Sequence, residues 1–210
     1  AMGNLLLTAM YNITGSLTES LDSLSKIFNL KGRVLPFTED KAILMATTQD
    51  GEVIEGESNI TKAGKQIKTI KYKNKVHATP MVLEAIKNAD LIIIGIGSLY
   101  TSIIPNLLTR EMKKVLKDSK AKKMYICNIM SEHGETDGYQ VSDCIKQINK
   151  YVDKNFIDVV LANKKIVPDN VLKFYQNEKS SQIMIDRENI QAMGVKLITA
   201  DLLYIKNNQA

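Results

Sequence analysis

The segment Asp90-Leu-Ile-Ile-Ile-Gly95-Ile-Gly97-Ser98-Leu99-Tyr100-Thr101-Ser102 joins a wholly apolar run to two glycines and a cluster of hydroxyls. An apolar run of that length suits a buried strand, and the glycines let the backbone turn tightly at its end. Backbone N–H groups in such a turn, ahead of a helix, can hold an anion such as phosphate. Ser98, Thr101 and Ser102 would add hydroxyl donors. The pattern is neither G-x-G-x-x-G nor a Gly-Lys-Ser/Thr phosphate loop. Two readings stay open: a phosphate site, or a glycine turn that packs helix on strand.

A second cluster, Asn128-Ile-Met-Ser131-Glu132-His133-Gly134-Glu135-Thr136-Asp137, follows the next strand-like run. It falls on the same sheet edge, where ligands of open α/β sheets collect. Asn128, Glu135 and Thr136 could hydrogen-bond a ribose, base or sugar, while Thr136 or Asp137 could cap the helix that follows. No His or Cys stands at metal-ligand spacing from His133, so no metal site is assigned. There is no G-x-S-x-G, no H-E-x-x-H and no evident nucleophile–base pair. The residues favour binding over catalysis.

The elements that hold these loops read as follows. Apolar helices cover about 3–13 and 16–29, the second opened by a Ser16/Glu19 capping box. Strands are expected at Arg33–Pro36, Ala42–Thr47, Glu52–Gly56 and Gln66–Tyr72, with Asp50-Gly51 as a hairpin turn. This makes 31–75 a β-rich antiparallel insertion. Helix and strand then alternate: a helix from Pro80 to about Asn88, a central parallel strand at 90–94 and a helix from Pro105 to Lys117. A strand at 123–129, a helix at 139–152, a strand at 157–162 and a short helix at 170–177 follow. Short strands at 183–185 and 196–198 close the order. The expected fold is α/β, a single Rossmann-like domain over 1–210, its parallel sheet carrying helices on both faces. The polar tail Lys206–Ala210 shows no terminal helix, and a helix-first, strand-last chain reads as a fragment.

The 210 residues carry a net charge of +5, with 44% hydrophobic and 24% charged positions. That is ordinary for a globular protein. The longest apolar runs are too short to span a bilayer, and no secretory signal is visible. Cys127 and Cys144 read as buried structural thiols in a reduced, cytoplasmic setting. The basic balance suits an anionic partner. Its lysines, at Lys65–Lys75 and at Lys113, Lys114 and Lys117, are not interleaved with aromatics, so they read as solvated faces and not as a nucleic-acid site.

Gly95-Ile-Gly97-Ser98-Leu99-Tyr100-Thr101-Ser102-Ile103-Ile104-Pro105-Asn106-Leu107-Leu108 closely resembles the G-P-G-S-L-Y-T-S-I-x-P-N-L segment of the gluconeogenesis-factor family (YvcK-like). That family lies within the 2-phospho-L-lactate transferase superfamily (CofD-like). Gly3-Asn4-Leu5-Leu6, Arg33-Val34-Leu35-Pro36, Gly56-Glu57-Ser58 and Gly134-Glu135-Thr136-Asp137 match it in the same order, and Ile96 replaces the usual proline. The family's N-terminal strand with its G-G-G-T-G loop is absent, as is a C-terminal segment with an R-H-D-like motif.

The resemblance implies a nucleotide-sugar ligand, UDP-N-acetylglucosamine, and a role in cell-wall morphogenesis and cell shape during gluconeogenic growth. It implies no established reaction. The alternative is the transferase branch, which moves a phospholactyl group to a deazaflavin alcohol, with Mg2+ as an aid. Residue by residue, Asn4 matches a contact near the nucleotide. Gly95, Gly97, Ser98, Leu99, Tyr100 and Thr101 match the phosphate-facing loop, and Asn128, Glu135 and Thr136 the second loop. Tyr175 matches a nucleotide-sugar-binding tyrosine or is a helix aromatic packed in the core. Cell-wall synthesis proteins and a homo-oligomer are the further partners this implies.

Overall fold

A computed structural model describes residues 2–205; Ala1 and the tail Lys206–Ala210 lie outside the described residues. Helices α1 (Met2–Thr14) and α2 (Leu17–Ile27) pack on each other, and α1 buries none of its residues. Ser16 caps α2 as its sequence position predicts, accepting from the Glu19 amide at 3.3 Å. The reciprocal bond expected from Glu19 is not formed: the Ser16 amide donates to the Thr14 hydroxyl at 3.4 Å, and Glu39 reaches the cap from outside the helix. Its carboxylate accepts from the amides of Leu17 (3.2 Å) and Thr18 (2.8 Å) and from the Ser16 and Thr18 hydroxyls. These donors hold Glu39 below its usual pKa, led by the Thr18 hydroxyl. A depressed carboxyl stabilises the fold above the unfolded pKa and loses that contribution as pH falls through the folded value. Glu39→Gln is therefore expected to flatten the acid limb of thermal stability below about pH 4.5, measured by melting across pH.

Strands β1 (Leu44–Thr48), β2 (Val53–Glu55) and β3 (Ile67–Tyr72) form an antiparallel sheet in the order β2-β1-β3. β1 alternates buried and half-buried positions, as a strand with one face on a core must. The Asp50-Gly51 turn closes the β1–β2 hairpin, with Gly51 at φ 88°. Two expectations change in this region. Arg33–Pro36 is irregular, not a strand, and α3 (Glu57–Ala63) interrupts the β-rich stretch. Gly56, at φ 89°, starts that helix, so the G-E-S signal marks a strand-to-helix junction.

The second sheet is parallel throughout: β4 (Leu91–Ile94), β5 (Lys122–Ile126), β6 (Val159–Asn163) and β7 (Lys196–Ala200), in sequential order. Helices α4 (Pro80–Lys87), α5 (Arg110–Asp118), α6 (Val141–Tyr151), α7 (Asp169–Gln176) and α8 (Arg187–Ala192) surround it. The α/β class is as expected, with three differences in detail. β4 pairs only with β5, so among the described residues it is an edge strand, not a central one. Apolar content reports burial on a strand's two faces and does not count its neighbours. Coverage of those faces is also unequal. Ile92, Ile94, Tyr125, Val160 and Ala162 are buried, whereas Leu91, Ile93 and Ile198 on the opposite face are exposed. Residues 183–185 make only an isolated bridge through Met184 to Gln140, while α8 follows where no helix was expected.

Tyr151 joins the two sheets. Its hydroxyl, carried on α6, accepts from the Ile70 amide of β3 at 2.8 Å. Cys127 and Cys144 are free and buried in the shared core. No helix among the described residues is long and apolar enough to cross a membrane.

Candidate functional site

Two loops leave the carboxyl ends of β4 and β5 and meet. The first turns at Gly95, whose φ of 104° favours glycine, and the Gly95–Ile96 peptide is cis. A Cβ on Gly95 would lie 2.7 Å from the Ile126 carbonyl oxygen, so the residue is required by close approach as well as by conformation. Leu99–Ile103 then forms one π-helical turn, closed by the Ile103 amide donating to the Ser98 carbonyl at 2.9 Å. Ile104–Leu107 tightens into a 3-10 turn. The helix expected from Pro105 to Lys117 is thus broken. Thr109 takes an extended conformation, caps a separate α5, and accepts from the Met112 amide at 3.3 Å.

Glu135 from the second loop plugs part of the first. Its carboxylate accepts from the Tyr100 amide and the Thr101 hydroxyl, each at 2.7 Å, and it is 3% exposed. Burial pushes its pKa up, against the pull of those donors. Tyr100 is itself buried, with its hydroxyl 3.1 Å from that of Tyr139. Leu99 is buried beside it. The Tyr100 and Thr101 donors are therefore engaged internally, and an incoming anion meets an occupied position there. The amides of Gly97, Ser98 and Leu99 have no hydrogen-bond partner among the described residues. Thr136 is likewise consumed: its hydroxyl accepts from the Glu132 amide at 2.8 Å and its own amide donates back to the Glu132 carbonyl. An acidic or hydroxyl residue in a loop reads from sequence as solvated or ligand-facing. Here both side chains build the loop.

Asn128 is the bridge between the loops. Its Nδ2 donates to the Gly97 carbonyl at 3.0 Å, and its Oδ1 is buried without a partner. A buried amide oxygen left unmet costs about 1–3 kcal/mol. Asn128 lines a cavity of about 440 Å³, within the size range of small-ligand sites. Tyr175 lines the same cavity from α7, half-buried and edge-on to Phe174. It also packs against Val167, Val171 and Leu203, as the reading of a packed helix aromatic expects. Asn4 sits exposed on α1 and is not among the cavity's lining residues.

Sequence reasoning passed over the far wall. His133 lines the cavity, with Nδ1 3.1 Å from Asp137 Oδ1, and Asp137 also accepts from the Gly134 amide at 2.6 Å. Asp137 therefore orients His133 and does not cap α6; Gln140 and Asp143 do that with a reciprocal capping box. Gly64 and Gly134 touch so closely that a Cβ on Gly134 would lie 2.9 Å from Gly64. The Ile67 amide donates to the Gly134 carbonyl at 3.0 Å. The antiparallel unit is thereby locked against the second loop, and Ile60, Thr61 and Ile67 form a wall of the cavity. The paired glycines were the available signal. Among the described residues no group of three or more His, Cys, Asp or Glu side chains is gathered to hold a metal ion.

The chain matches the 2-phospho-L-lactate transferase CofD family over residues 1–203. It belongs to that family. Within the CofD family it is similar to the gluconeogenesis factor of Bacillus subtilis, 39% identical over 209 residues, 99% of this chain and 66% of that one. The gluconeogenesis factor of Halalkalibacterium halodurans is 40% identical over 201 residues, 95% of this chain and 62% of that one. A crystal structure of a Bacillus halodurans protein superposes at a TM-score of 0.95 with 38% identity, covering 100% of this chain and 68% of that chain. The chain spans between 45% and 66% of the length of the curated relatives it matches.

Proposed function

We propose that this chain forms part of a nucleotide-sugar-binding gluconeogenesis factor, with UDP-N-acetylglucosamine as the ligand. The observation that carries the reading is Asn128, which lines the cavity walled by the second loop, α3, β3 and α7, and whose buried Oδ1 acceptor has no protein partner. A nucleotide sugar is rich in the N–H and O–H donors that such an acceptor requires. Its diphosphate suits the unpartnered amides of Gly97, Ser98 and Leu99 in the first loop, which Asn128 ties to the cavity wall, and Tyr175 lines the cavity from α7. In this reading Tyr100, Thr101 and Thr136 position the loops, and Glu135 both lines the cavity and holds the first loop in place. The role in cell shape and cell-wall synthesis under gluconeogenic growth follows from the same reading, with wall-synthesis proteins as partners.

The family's transferase chemistry is the second reading, favoured by the CofD match itself. It requires turnover of a phospholactyl nucleotide with a deazaflavin alcohol, and product formation would establish it.

Calorimetry tests the first reading. UDP-N-acetylglucosamine is expected to bind the protein, and Asn128→Ala to weaken binding about tenfold or more, since the lost bond leaves a ligand donor unmet. Unchanged affinity in that variant would remove Asn128 from the site.

A further inference from the structure

The two lysine-bearing faces that the sequence shows separately converge on one cleft. β3 and the segment after it bring Lys71 and Lys75, and the first turn of α5 brings Arg110 and Lys113, around a cavity of about 530 Å³. We propose that this cleft binds a small anion carrying two or more phosphate charges, at a site separate from the cavity lined by Asn128 and Tyr175. The argument rests on which cations are paired. Lys73 on the same side of the chain is held by Glu55 at 2.7 Å, and Lys117 on the same helix by Asp153 at 2.6 Å. Lys71, Lys75, Arg110 and Lys113 make no ion pair and no side-chain hydrogen bond among the described residues. The single carboxylate in the cleft, Glu111, is engaged by His77 Nδ1 at 2.8 Å.

The floor offers these cations little. Tyr72 donates its hydroxyl to the Pro105 carbonyl at 3.0 Å, and the Tyr151 hydroxyl accepts from the Ile70 amide. The Asn74 side chain is used on both ends, accepting from the Ile43 amide and donating to the Lys41 carbonyl. Unpaired like charges around one concavity repel each other and focus a positive potential into it. A compact polyanion relieves that repulsion, and an arginine among the lysines adds a fork that matches phosphate oxygens. The concave shape and its volume fit a small molecule better than an extended acidic peptide.

Inorganic pyrophosphate is the probe, titrated calorimetrically at physiological salt into the whole chain and three variants. The surface pair Lys71→Ser with Lys113→Ser is expected to weaken pyrophosphate about tenfold or more and to leave UDP-N-acetylglucosamine affinity unchanged. Lys73→Ser with Lys117→Ser removes the same charge from outside the cleft and is expected to change pyrophosphate affinity by less than about twofold. Equal losses in the two double variants would mean diffuse charge attraction and overturn the site. So would a loss confined to Ser98→Ala, which would seat the pyrophosphate at the first loop. Tighter binding of a glutamate-rich peptide than of pyrophosphate would overturn the small-anion assignment.

Discussion

Glu135→Ala is expected to destabilise the protein by about 3 kcal/mol, because it strands two buried donors at once. The Tyr100 amide and the Thr101 hydroxyl both lose their acceptor, in a position too enclosed for bulk water to replace it. Glu135→Gln separates hydrogen bonding from charge. A glutamine oxygen can still accept from the Tyr100 amide, while the Thr101 hydroxyl can rotate to accept from the glutamine nitrogen. The glutamine variant is therefore expected to retain most of the stability in urea denaturation. A pH arm follows from the raised carboxyl. A carboxyl more easily protonated when folded favours folding below the unfolded pKa, and that contribution is lost as pH rises through the folded value. Glu135→Gln removes this slope. Equal losses in the alanine and glutamine variants would mean that the negative charge, not the capacity to accept from the two donors, sets the effect.

Gly95→Ala carries the other large effect, about 3 kcal/mol or more, from an unfavourable φ combined with a steric clash. The added methyl would lie 2.7 Å from the Ile126 carbonyl, which belongs to the neighbouring strand and cannot swing aside. Gly15→Ala is the control, at φ 74° with nothing within 4 Å of the added atom. It is expected to cost only about 1–2 kcal/mol, the conformational part alone. The difference between the two melting free energies measures the close approach of β4's exit to β5. Equal costs would mean that the turn yields without strain.

Much of the frame was legible because local chemistry and fold agree there. The Asp50-Gly51 turn, the Ser16 cap, the Pro80 helix start and the Gly95-Ile-Gly97 exit all occur where their residue types place them. The exceptions have tertiary causes. Arg33-Val34-Leu35-Pro36 has a strand-like composition but finds no strand partner. The helix through Pro105–Lys117 is split because Thr109 can satisfy α5's start with its own hydroxyl. The candidate site was legible as two loops on one sheet edge. The roles inside them were not, since nothing local tells a solvated glutamate from one folded back onto the neighbouring loop. Glu135 is acidic, in a loop and flanked by polar residues, yet it is buried by residues 34 and 35 positions earlier in the chain. Asn128 was read as ligand-facing, and its amide nitrogen turns out to hold the Gly97 carbonyl while its oxygen is buried without a partner.

The most direct test of the central claim is a two-dimensional amide NMR titration with UDP-N-acetylglucosamine. The Asn128 side-chain amide and the backbone amides of Gly97, Ser98 and Gly134 are expected to shift together along one saturable curve. No shift at millimolar ligand, or shifts gathered instead at Lys71 and Arg110, would contradict the placement of a nucleotide sugar in the cavity lined by Asn128 and against the first loop.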